Sequence, residues 1–335
     1  MSDNVGRLSH LDALRGFAII LVVGIHATGY AFSKAEGVSL VLNPTFNLII
    51  GIAVPIFYMV DGFLTARSQS RKSTPFSETA LKSARRLLIP WLIFNLFYIS
   101  LRYLAEWRGI VPDRMLVGRS PADAFGFIWT SQIASQLYFL PTLFLMRLAA
   151  VPCRRIFTGP IAALIVFGLA YVGVTRGLGM RLEGDPISHA VFEFPYFIFG
   201  CLVFRLESAP TSRGMTILYG LGLAAIVQQF APLPEAWNQV SYDVAKYGFV
   251  LLAYFGSKWV AGERSPLLWL GGRTMEIYLL HAPLLIKVVG IVLAKFIGPT
   301  GTRFAAVWSV TLLVTVALTL VLSKIPWTKR LFGGA

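Results

Sequence analysis

Ten apolar runs, each close to the length needed to cross a hydrocarbon layer, dominate this 335-residue chain and restrict its fold more than any other feature. They lie near 14–32, 46–66, 87–105, 133–150, 157–174, 190–206, 214–231, 242–261, 274–294 and 304–324. Inside a bilayer every backbone N–H and C=O must find an internal partner, which leaves helices and closed barrels as the only spanning structures. Uninterrupted apolar runs of about twenty residues fit helices. The expected fold class is therefore all-α, a polytopic helical membrane protein with about ten transmembrane helices. Charged residues make up only 14% of the chain, against about a quarter in soluble domains, so a soluble globule is excluded.

The net charge of +14 would point to nucleic acid in a soluble protein. Here the Lys and Arg sit at the ends of the apolar runs, where the positive-inside bias places them, and nucleic-acid binding is not expected. Assigning alternate connections to the cytoplasm gathers basic residues there by about two to one, which puts both termini in the cytoplasm. The polar start MSDNVGRLSHLDALRG runs into the first apolar segment without a small-residue cleavage site, so that segment is expected to be a retained span. No sequence repeat or long linker divides residues 1–335, which read as one membrane domain. Cys153 and Cys201 have neither metal-ligand nor redox spacing, so no metal site and no tightly bound cofactor are expected.

Ionisable groups within apolar runs carry the functional signal, because each is costly in hydrocarbon. In LDALRGFAIILVVGIHATGY, Arg15 and His26 are eleven residues apart, which returns them to within about 20° of the same helix face and roughly 16 Å apart along the axis. One end of that stripe can meet an anion at the cytoplasmic surface, and the other can do proton chemistry in the outer half of the bilayer. Burial favours a neutral imidazole able to take a proton. Asp61, near the cytoplasmic end of the second run, needs a cationic partner. Arg67, Arg71, Lys82, Arg85 and Arg86 form the densest basic patch, suited either to phosphate recognition or to topology and anionic membrane lipids. In GGRTMEIYLLHAPLLI, Arg273 and Glu276 have the spacing of an i,i+3 pair, and His281 either faces the site or bonds between helices. Glu193, near His189, is placed to orient an imidazole or a sugar hydroxyl. Tyr138, next to Phe139 and close to Pro141, lines a cleft or belongs to an aromatic belt.

Taken together these residues resemble membrane acyltransferase family 3, which includes bacterial O-antigen and Nod-factor O-acetylases. The arginine, ten residues, histidine spacing from Arg15 to His26 is the most specific match. VPIFYMVDGFL is similar to the family's VPLFFxxSGF segment, RRLLIPW to its entry into the third span, QLYFLPTLF to its LWFLxxL and EIYLLHAPLL to its IYLxHxP. Asp61 stands where the family usually has serine. No appended hydrolase-like domain is seen, so a stand-alone member is expected.

The resemblance implies an enzyme of the bacterial inner membrane that moves an acyl group, usually acetyl, from coenzyme A to a hydroxyl of a glycan, lipid-linked sugar or related acceptor. Arg15, Arg67, Arg71, Arg85 and Arg86 would neutralise the donor phosphates, His26 would be the general base, and Asp61, Tyr138, Glu193, Glu276 and His281 would line the site. The alternative reading is a transporter or flippase of a sugar-lipid or anionic metabolite, since buried His, Asp and Glu also mark transport paths. Against it, the ionisable stripe of the first span has no counterpart in the second half of the chain.

Overall fold

The computed structural model describes residues 8–31, 44–71, 75–111, 113–152, 159–177, 185–228, 235–262, 264–325 and 328–332. Among them all regular structure is helical. The chain opens with α1 (Ser9–Ala31), followed by the short α2 (Pro44–Gly51), which runs almost directly into α3 (Ala53–Arg71). Next, α4 (Phe76–Ser83) joins α5 (Ile89–Trp107) through a π-helical turn, Ala84–Leu88. Then come α6 (Pro121–Trp129), a 3-10 turn (Ser135–Tyr138) leading into α7 (Phe139–Ala150), α8 (Pro160–Gly177), α9 (Pro186–Glu207), α10 (Arg213–Gln228) and α11 (Glu235–Val260). The last elements are α12 (Pro266–Gly271), α13 (Thr274–Leu280), α14 (Ile286–Ala294), α15 (Gly301–Leu322) and α16 (Thr328–Leu331).

Local chemistry sets several of these starts. Ser120 and Asp123 close a capping box on α6. The Asp185 carboxylate accepts from Ser188 N at 2.7 Å with proline at the first position of α9, and Thr300 caps α15. In the last turn of α5 the buried Glu106 carboxylate accepts from Arg102 Nε at 2.6 Å and from the backbone of Leu116 and Val117 in the loop that follows.

Among the described residues six helices are long and apolar enough to cross a membrane, namely Ser9–Tyr30, Phe46–Arg71, Phe76–Trp107, Pro186–Glu207, Thr274–Ala294 and Gly301–Leu322. The protein is thus a multi-pass membrane protein. The other four apolar runs also fold as helices, but α7 and α10 are short, the apolar part of α8 covers only Pro160–Gly173, and α11 carries Asp243, Lys246 and Lys258. Among the described residues, length and hydropathy thus mark six candidate crossings, and the ten expected from the sequence are not confirmed.

Between helices in lipid there is little hydrophobic driving force, so close backbone approach and packing hold the bundle. Glycine supplies that approach where α3 crosses α9. A Cβ on Gly62 would fall on the carbonyl of Phe197, and one on Gly200 would fall on the carbonyl of Met59. At the same crossing the Cys201 thiol donates to Gly62 O at 3.3 Å. Met59 and Phe197, whose carbonyls these glycines approach, are themselves fully buried. The buried Cys201 is a packing residue, and Cys153 lies outside the described residues. A second tight approach seats α12 on α1, where Gly271 meets the backbone of Asp12. Apolar side chains left exposed on α8 and α10, such as Ile161, Leu169, Ile217 and Leu221, face where lipid tails would be.

Candidate functional site

One face of α1 opens onto a cavity of about 910 Å³. Leu8, Leu11, Asp12, Arg15, Val22, Ile25 and His26 line it, spaced as a single stripe of a 3.6-residue helix. At about 1.5 Å per residue that stripe is roughly 27 Å long. The facing wall is a second stripe, Val54, Phe57, Asp61, Leu64 and Arg67 on α3. Phe139, Leu140 and Leu143 of α7 and Met275 and Tyr278 of α13 close the middle. The cavity is thus polar where α1 begins, apolar in its waist and histidine-bearing farther along.

The polar end holds five arginines, Arg15, Arg67, Arg86, Arg147 and Arg273, and three carboxylates, Asp12, Asp61 and Glu276. Arg15 Nη1 donates to Asp12 at 3.3 Å, one turn away on the same helix. Asp61 and Arg147 form a two-pronged pair. Arg147 Nε donates to Oδ2 at 2.8 Å and Nη2 donates to Oδ1, the planar fork that guanidinium and carboxylate favour. Arg15 and Arg86 both feel the charges of Asp12, Asp61 and Arg147, so these groups form one electrostatic cluster. Arg86 sits in the π turn Ala84–Leu88, a local widening often found at functional positions. Arg273 turns onto the ring of Trp269, with 4.2 Å from the guanidinium to the ring centre.

At the far end the His26 ring lies 5.2 Å from that of His281, centre to centre, tilted by 51°. His281 follows α13 as its C-cap, and Ala282 after it is extended (φ −135°, ψ 157°), so the helix is broken before α14 begins. The residue before a proline disfavours helical backbone, and Pro283 follows. Broken backbone at membrane depth is tolerated where protein covers it or a cavity meets it. Side chains from other helices satisfy the carbonyls freed here. Tyr98 OH donates to Leu279 O at 2.8 Å and Gln136 Nε2 donates to Ala282 O at 2.6 Å. In return, Tyr278 OH of α13 donates to the backbone carbonyl of Gln136.

Of the residues singled out from sequence, Arg15, His26, Asp61, Arg67, Arg86, Tyr138 and Glu276 line the cavity. His281 is fully buried directly behind His26. Arg71 and Arg85 are exposed and do not line it. Glu193 does not line it either, and its neighbour His189 stacks on the Tyr138 ring at 3.9 Å. The expected pairing of Arg273 with Glu276 is not made, because Arg273 lies over Trp269 instead. Sequence reasoning missed Arg147 as the partner of Asp61, and missed Gln136 and Tyr278 as cavity residues. A buried carboxylate demands a cation, which was the available signal for Arg147. Among the described residues no cluster of His, Cys, Asp and Glu could hold a metal.

No curated protein and no solved structure matches the chain. A family model does. The model described as an acyltransferase domain matches residues 8–324, a stretch that includes α1 with Arg15 and His26, the Asp61–Arg147 pair and the broken helix at Ala282. With nearly the whole chain matched, the protein belongs to membrane acyltransferase family 3.

Proposed function

We propose that the protein is an O-acyltransferase that moves an acyl group, acetyl first among the choices, from coenzyme A to a hydroxyl of a glycan, lipid-linked sugar or related cell-envelope acceptor. The observation that carries this reading is the single cavity that joins the arginine cluster to His26. Coenzyme A is a polyanion with a long, narrow pantetheine arm. Its phosphates fit an end lined by Arg15, Arg67 and Arg86, and the arm fits the apolar waist of Phe57, Phe139 and Tyr278, which leads toward His26. The polyanion then stays out of hydrocarbon while the thioester enters it.

In this reading His26 is the general base. It takes the proton of the acceptor hydroxyl as the oxygen attacks the thioester carbonyl. The tetrahedral oxyanion collapses, the C–S bond breaks, and the imidazolium returns the proton to the departing thiolate. Placement in the bacterial inner membrane, with ten crossings, one membrane domain and both termini in the cytoplasm, completes the proposal. The interrupted helix at Ala282 is a feature that a transporter would also carry, but membership in an acyltransferase family favours transfer.

The test follows labelled acetyl from acetyl-coenzyme A into the glycan and lipid fractions of membranes holding wild type or His26→Ala at equal expression. Label that depends on His26 supports the reading and shows which fraction holds the acceptor. Equal transfer in both samples, above empty membranes, removes His26 from the chemistry.

A further inference from the structure

His281 is fully buried, and the reaction above gives it no part. Its Nδ1 lies 3.0 Å from the carbonyl oxygen of Ile277. A carbonyl only accepts, so Nδ1 carries the hydrogen of the neutral ring and Nε2 is left with a bare lone pair. That Nε2 is buried and has no hydrogen-bond partner among the described residues. An unsatisfied buried acceptor is unfavourable and marks a place where a donor is due. The neighbouring ring is that of His26, 5.2 Å away between centres. An N–H···N bond of about 2.9 Å between two imidazoles needs about that separation of ring centres. The two rings are therefore close enough to be joined once their nitrogen-bearing edges face each other, without a shift of α1.

We propose that His281 is a positioning residue for His26. Its Nε2 accepts a hydrogen bond from one His26 nitrogen and so fixes the tautomer that presents the other nitrogen, with its lone pair, to the acceptor hydroxyl. The inference rests on His26 being the base. When the hydroxyl proton moves to His26, the imidazolium keeps its bond to His281 Nε2, and the same proton leaves with the thiolate. His281 neither gains nor loses a proton. The hydrogen bond an imidazole makes at one nitrogen sets which of its nitrogens is free, and catalytic bonds commonly close only when substrate is bound. A carboxylate in this role would place a charge deep among apolar groups, whereas a neutral imidazole orients its partner without one. The support behind His281 is rigid, because Tyr98 and Gln136 tie down the carbonyls on either side of the break.

The test uses the full chain, histidine-labelled with 15N, as wild type, His281→Gln, His281→Asn and His26→Ala. Glutamine sets a carbonyl oxygen near the place of Nε2, while asparagine reaches only as far as Nδ1. With coenzyme A present, the His26 nitrogen resonances are expected to report one tautomer in wild type and His281→Gln and a mixture in His281→Asn. Acetyl transfer in His281→Asn is expected to lose about ten- to a hundredfold in kcat with an unchanged KM for the donor, as when other orienting partners are removed. His281→Gln recovers most of that loss. A mixed His26 tautomer in wild type, an unchanged tautomer in His281→Asn, or equal losses in the two His281 variants overturns the proposal. Turnover retained in His26→Ala instead sinks the base assignment, and the resonances still judge the bond between the rings.

Discussion

At Asp61 two hydrogen bonds from Arg147 leave neither charge alone in the wall of the cavity. Removing one partner of such a pair leaves the other uncompensated. Arg147→Met is therefore expected to cost about 3 kcal/mol, at the lower end for a buried pair because the site borders a cavity. Denaturation in a fixed detergent measures it. Asp61→Ser should cost a similar amount and release a positive charge, which lowers the donor concentration at half-maximal rate. The basic patch divides at the same scale. Arg86 lines the cavity and Arg85, its neighbour, does not, so Arg86→Gln should raise that donor concentration several-fold and Arg85→Gln should leave it unchanged. Steady-state kinetics over a donor series separates the two. Arg15 and His26 were legible in the sequence because one helix carries both and its period relates them. Arg147 was not, since 86 residues separate it from Asp61 and only the folded bundle brings them together.

Among the elements, the broken helix and the glycine crossing do most to shape the site. The break follows from Ala282 standing before Pro283, a signal that can be read from the dipeptide alone. What cannot be read there is how the freed carbonyls are satisfied, because Tyr98 and Gln136 come from distant helices. Gln136→Leu would leave Ala282 O without its donor, and a loss of about 1–3 kcal/mol is expected by the same denaturation measurement. Where α3 crosses α9, a methyl at position 200 would meet backbone and not a side chain that can turn aside. Gly200→Ala is thus expected to cost about 3 kcal/mol, the upper part of the range for overpacking. It should also lower transfer, since α3 carries Asp61 and Arg67. The π turn that sets Arg86 in the cavity wall had no sequence signal, because RRLLIP reads equally well as a plain helix start.

For the whole molecule, hydropathy alone revealed an all-helical membrane protein, and the structure agrees among the described residues. The number of crossings was less legible, since a short helix such as α7 or a charged one such as α11 can belong to a bundle without meeting both the length and the hydropathy of a membrane span. Sidedness is open to direct measurement. With Cys153 and Cys201 replaced by serine, a cysteine at the exposed Ser70 should react with an impermeant thiol reagent only from the cytoplasmic side. One at the exposed Arg119 should react only from the opposite side, and the reverse pattern would invert the topology.

The cavity is lined near the start of the described chain by Leu8 and near its finish by Thr328 and Phe332. Phe332 is buried there, its ring 6.0 Å from that of Phe94. Anything joined to either end, whether an affinity tag, a reporter or a fused domain, is thereby leashed near the cavity at a high effective concentration. It would compete with whatever must enter, and its linker length would become a hidden variable in every rate recorded. The exposed turn at 210–212, between α9 and α10, is the better place to attach a handle.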